Sequence, residues 1–181
     1  GCGNSGILHF AAELDPSIAL SWYQAYEAGF WQDKGWAVGF TEMPRDGDSS
    51  FMDVDSGPVV WGFGSVASAF GIGAAKTVGR FDHAAPLTME AVACAWPTPL
   101  GFLLPGIMGK LAANSWSLGE VAMLFTMTRP TRIAETTPYE GSAPGIVWLL
   151  LCVYTSLGFI IIFRETRFLF RTVRTMNSRC G

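Results

Sequence analysis

Residues 145–163 read GIVWLLLCVYTSLGFIIIF, and RETRFLFRTVRTMNSR follows at once. The nineteen carry no charge, and twelve of them are Leu, Ile, Val or Phe. At roughly −0.3 to −0.6 kcal/mol each on an insertion scale, those twelve favour a membrane helix by about 4 to 7 kcal/mol. At about 1.5 Å of rise per residue the run also matches the roughly 30 Å hydrocarbon core of a bilayer. The basic tail, 164–181, carries Arg164, Arg167, Arg171, Arg174 and Arg179 against the single acid Glu165. The positive-inside bias therefore predicts a cytoplasmic tail, one transmembrane helix, and 144 preceding residues on the other side of a cell membrane.

Two further uncharged stretches are read differently. Residues 57–75 hold only seven large apolar side chains, diluted by five Gly, four Ala and two Ser. Residues 91–109 are interrupted by Pro97, Pro99 and Pro105, which remove backbone donors and block one continuous helix. Both fit the core of a helical domain better than a second span.

The segment before the span carries 14 acidic and 7 basic side chains, while the tail is net +4. An acidic outer domain argues against nucleic acid, whose backbone needs a basic face. The tail arginines, spaced by three, four and three residues, share a helix face suited to anionic lipid headgroups. Membrane lipid is thus the expected partner, and the sequence does not identify a protein partner. Cys2, Cys94, Cys152 and Cys180 form no CxxC, no zinc spacing and no disulfide framework, so neither a metal nor a cofactor is expected. Without an initiator Met or a leader, Gly1 reads as a processed terminus or as a point inside a longer protein.

The outer segment is patterned for helices joined by loops. Asp15-Pro16 is an N-cap followed by Pro at the first helical position. The helix after it, over 16–31, aligns Ala19, Trp22/Tyr23, Tyr26 and Phe30 at three- and four-residue spacing. Residues 32–56 are polar and turn-rich, with a short strand at 36–41. Ser56 and Gly57-Pro58 open a second helix to about Val78, with a small-residue stripe of Gly64, Ser68, Gly71 and Ala75 that admits a close neighbour. Asp82 caps a third helix to about Trp96, and Ser115 or Ser117 caps a fourth, SLGEVAMLFTMT. The expected organisation is a helical domain over 1–128, a linker over 129–144, the span over 145–163 and the tail. Within 59–67, VVWGFGSVA imitates a dinucleotide fingerprint, but a strand of three residues without further βαβ units cannot build that site.

The stretch FMDVDSGPVVWGFGSVASAFGIGAAKTVGR, 51–80, resembles the loop-to-inner-helix junctions of α/α-toroid proteins, the six-hairpin glycosidase-like group with its membrane-attached members. The resemblance extends over about 16–128. It implies an all-α fold in which helical hairpins form part of an (α/α) toroid, the chain being the C-terminal portion of a longer ring. It further implies a cleft of acids and aromatics at one end, taking a glycan or related polyol.

The residues of that cleft would come from the 32–56 loop. Asp53 and Asp55 stand two apart, so an extended loop points both side chains the same way. Such a pair can divide general acid from nucleophile or base, hold calcium, or cap the next helix through its positive end. Glu42 and Arg45 are further candidates for the same cleft, against a role as solvated loop charges. Trp31, Trp36 and Trp61 are flat amphipathic surfaces that stack on sugar rings or, alternatively, pack the core and rim. His9 and His83 are too isolated in sequence to suggest a nucleophile–base pair. Two functions follow: a membrane-anchored carbohydrate-active enzyme using paired carboxylates, or a non-catalytic anchored domain that binds or scaffolds.

Overall fold

The computed structural model describes residues 1–45, 47, 57, 59–98, 101–103 and 116–177. Helices dominate them: α1 (Cys2–Leu14), α2 (Pro16–Phe30), α3 (Ser65–Thr77), α4 (Phe81–Cys94), α5 (Trp116–Met127) and α6 (Gly145–Asn177). Three short antiparallel ribbons interrupt them. These are β1 (Trp31–Asp33) with β2 (Val38–Phe40), β3 (Val59–Val60) with β4 (Phe63–Gly64), and β5 (Trp96–Thr98) with β6 (Gly101–Leu103). The chain divides into two compact units, Gly1–Val147 and Trp148–Gly181.

A single residue ends α1 and starts α2. A residue before proline is pushed out of the helical region, and Asp15 sits at φ −151°, ψ 102°. Its amide donates to the Ala11 carbonyl while its carboxylate accepts from the amides of Ser17 and Ile18. The break therefore leaves few orphaned helix-end groups. The predicted stripe of α2 is real in Ala19, Tyr23 and Tyr26, all buried, whereas Trp22 is exposed.

Helix α3 lies at the centre of the first unit because its small residues let other elements approach closely. A Cβ on Gly71 would lie 2.4 Å from Phe40 Cδ2, and one on Gly73 would lie 2.3 Å from His9 Cε1. The stripe anticipated at Gly64, Ser68, Gly71 and Ala75 thus receives the Phe40 ring of β2, and Ser68 Oγ accepts from the Phe40 amide at 3.1 Å. Leu8, Ala12, Ala19, Tyr23, Phe40, Ile72, Ala74 and Leu87 complete one core cluster.

Helix α3 starts at Ser65, not at the expected Ser56–Gly57, because 59–64 turn back as a hairpin. The two-residue turn needs positive φ at both central positions, which here are Trp61 (φ 52°) and Gly62 (φ 90°). Glycine adopts this freely, but a left-handed conformation costs a bulky L-residue roughly 1–2 kcal/mol. The same hairpin removes the dinucleotide reading: its strands run antiparallel, so no βαβ unit begins there.

Helix α4, for which Asp82 was the expected cap, begins at Phe81 with Arg80 at its N-cap, so Asp82 lies in its first turn. Residues 129–144, expected as a linker, bond back to the domain. Thr137 donates to Gly79 O and accepts from the Asp82 amide, and the Arg132 amide donates to Thr77 O. Helix α6 runs unbroken for 33 residues, through both the apolar run and the tail to Asn177. Its stretch Gly145–Leu169 is long and apolar enough to cross a membrane.

Candidate functional site

Strand β1, the first residues of α4 and the 139–144 segment enclose an open pocket of about 260 Å³, lined among others by Trp31, Asp33, Val38, Asp82, Pro86 and Tyr139. Asp82 and Pro86 stand four residues apart on α4, so both face the same way, and Glu90 continues that line one turn on. Strand β1 places Trp31 and Asp33 on one side of the ribbon, two residues apart. Asp33 Oδ1 accepts from the Gly35 amide at 2.7 Å, and Gly35 takes φ 74° to close that turn.

Behind Trp31 lies a network of charges. The indole is stacked on the His83 imidazole, with ring centroids 3.9 Å apart and planes 22° from parallel. Arg80 reaches Asp82 through Nε (2.9 Å) and Nη2 (2.7 Å), and also pairs with both Glu27 oxygens. Arg80 Nη2 lies 3.2 Å from His83 Nε2, and His83 Nδ1 lies 2.8 Å from Tyr23 Oη. Guanidinium only donates, so Nε2 accepts, and the neutral ring carries its proton on Nδ1, donating to Tyr23. His83 is buried, and burial together with the Arg80 charge lowers its pKa, outweighing Asp82 and Glu27. Burial would raise the Asp82 carboxyl, but the hydrogen bonds and charge of Arg80 hold it below its usual value.

Glu90 behaves oppositely. It accepts from the Val38 amide at 2.8 Å, and burial, aided by the Asp33 charge, pushes its pKa up to about 7. Burial also raises Tyr139, again with help from Asp33 and Glu90. The pocket therefore offers an aromatic face fixed from behind, the ionised carboxylate of Asp82 and the carboxylate of Asp33, while Glu90 lies outside its lining, bonded to the Val38 amide. Hydroxyl donors and a C–H ring face are the chemistry such walls complement.

The residues singled out from the sequence are dispersed. Trp31 lines the pocket. Trp36 and Trp61 form an exposed edge-to-face pair elsewhere, with centroids 5.1 Å apart. Glu42 accepts from the Cys2 amide at 3.1 and 3.2 Å, at the start of α1, with its side chain 13% exposed. Arg45 is exposed and donates to the Trp31 carbonyl. Asp53 and Asp55 lie outside the described residues. Among the described residues, no group of three or more His, Cys, Asp or Glu is placed to hold a metal ion.

Asp33, Asp82, Glu90, Tyr139 and His83 were not anticipated as site residues. The spacing 82–86–90 was a usable signal, since it marks one helix face. Tyr139 had none, because it reaches the pocket through the pairing of Thr137 with Gly79. Comparison of the chain with protein families, with curated proteins and with solved structures finds no match.

Proposed function

We propose that this chain is a single-pass membrane-anchored protein. Its helical domain stands outside the cytoplasm and holds a polyhydroxylated, glycan-type ligand between Trp31 and the carboxylates of Asp33 and Asp82. The observation that carries the reading is the Trp31 indole, stacked from behind on His83, in one pocket with two acidic side chains. A sugar presents C–H groups to the indole and hydroxyls to the carboxylates, and the pocket volume suits one or two rings. In this reading the hairpins α1–α2 and α3–α4 are two units of an (α/α) toroid, and α6 crosses the bilayer with its arginines inside.

The pocket supports binding more directly than hydrolysis. Glu42, one of the acids offered for chemistry, is engaged by the Cys2 amide at the start of α1. A hydrolase version relies on Asp53 and Asp55, or on Glu90 as the proton donor, because a carboxyl titrating near 7 can act as a general acid.

Titration of the full chain in detergent with neutral oligosaccharides, followed by tryptophan emission and saturation-transfer NMR, tests the proposal. Binding is expected for the parent and lost in Trp31→Ala and in Asp33→Asn/Asp82→Asn. Binding that survives both variants refutes the site. Product formation that Asp53→Asn/Asp55→Asn abolishes, with binding retained, moves the reading from binder to enzyme.

A further inference from the structure

The sequence offered three tryptophans for one ligand, but the structure divides them. Trp31 is backed by His83 in the pocket, whereas Trp36 and Trp61 meet edge to face and stand 40% and 64% exposed, with Val60 beside them at 42%. Two observations say what covers this pair. The first is its position: the Ile146 amide, in the first turn of α6, donates to the Trp36 carbonyl at 2.7 Å. A Cβ on Gly145 would lie 3.2 Å from the Trp36 Cα. Trp36 therefore sits where the apolar helix leaves the domain. The second is the backbone of Trp61, which holds φ 52° at a hairpin tip where Asn or Gly is the usual occupant. A bulky apolar residue kept in an unfavourable conformation at an exposed tip breaks a local rule, and such exceptions gather at functional positions.

We infer that Trp36 and Trp61 form an interfacial anchor, seated in the headgroup layer of the bilayer that α6 enters. Indole rings favour that layer, where an apolar body and an N–H donor are both accommodated. Lys34 completes the surface. Its Nζ donates to the Trp61 carbonyl at 2.7 Å and lies 4.6 Å from the Phe63 ring centre, so its charge stands at the level of the tip. Lipid phosphates are its natural counter-charge. The pocket residue Gly35 adjoins Trp36 in sequence.

This inference rests on α6 spanning the bilayer, and the experiment separates the two. The full chain and its Trp36→Phe/Trp61→Phe variant are placed in phosphatidylcholine vesicles, with quenchers carried on the headgroup, on the mid-chain, or in water as acrylamide. The difference in emission between the two proteins is expected to be blue-shifted, to lose most of its intensity to the headgroup quencher, and to resist acrylamide. Difference emission at the wavelength of water-exposed indole, quenched by acrylamide, overturns the anchor while leaving the span intact. If an alkaline wash strips the chain from the vesicles, the span itself fails, and the anchor with it. Should the double variant misfold, Trp61→Phe alone, at the more exposed ring, gives the same comparison.

Discussion

The two histidines of the domain occupy opposite kinds of interior. His9 packs on α3 and α5: its ring stacks on Phe125 (5.6 Å, 8°), meets Phe70 edge-on, and faces Gly73. Its Nε2 lies 2.6 Å from the Phe70 carbonyl, while its Nδ1 is buried without a partner among the described residues. His83 is bonded at both nitrogens, to Tyr23 and to an arginine that also holds two carboxylates. Burial lowers both pKa values. What differs is the replaceability of the ring: His9 fills space with one polar bond, whereas His83 completes a network.

The comparison breaks most sharply at Arg80. Arg80→Ala leaves Glu27 and Asp82 as unpaired, partly buried carboxylates beside His83. With those acids 28% exposed, the loss belongs at the lower end for broken buried pairs, about 3 kcal/mol in urea unfolding. The His83 pKa should rise at the same time, since a positive neighbour has gone and two negative ones remain, and NMR titration reads that change directly.

Gly73→Ala attacks the other histidine. Its new methyl would stand 2.3 Å from His9 Cε1, so α1 or the ring must move, at a cost of about 1–3 kcal/mol. Adding His9→Ala to it should recover part of that loss. Direct replacement ranks the pair: His83→Phe leaves the buried Tyr23 hydroxyl unsatisfied and should cost about 2 kcal/mol. His9→Phe keeps the stacking and should cost about 1 kcal/mol or less. Equal losses would contradict the distinction.

The effects of pH carry a sign that differs between groups. A histidine with a lowered folded pKa is protonated more readily in the unfolded chain. Stability is therefore complete above the unfolded value of about 6.5 and declines as pH falls through the lowered folded values. Glu90 has the opposite sign. Its folded pKa of about 7 exceeds the ordinary carboxylate value, so its contribution is complete below about 4.5 and is lost as pH rises through 7. Glu90→Gln should therefore melt higher than the parent at pH 8, with the advantage gone at pH 5. Melting curves at the two pH values decide it.

How much of this was legible in the sequence depended on how local the cause was. Asp15-Pro16 announces its helix break because the pre-proline restriction and the cap act within three residues. The α6 run and the Ala19–Tyr23–Tyr26 stripe are periodic signals of the same local kind. The β3–β4 hairpin was hidden inside an uncharged, Gly-rich stretch that suited a helix, and only the pairing of Val59 with Gly64 excludes that helix. His83 read as isolated in sequence because Glu27, Arg80, Tyr23 and Trp31 gather around it from α2, β1 and the α4 entry. The pocket shares that origin: Trp31 was foreseen as a ring for sugars and Asp82 lies on a legible helix face, but Tyr139 joins them only through the return of 129–144 onto the domain.

The continuity of α6 sets a length scale for its basic end. The uncharged run finishes at Phe163, yet the helix continues without interruption to Asn177. Ten residues separate Arg164 from Arg174, which at about 1.5 Å per residue puts their backbones about 15 Å apart along the axis. That exceeds the Debye length of about 8 Å at physiological salt. If the span ends at Phe163 and the helix stands upright, the backbone at 164 would lie within that length of the membrane surface and the backbone at 174 beyond it.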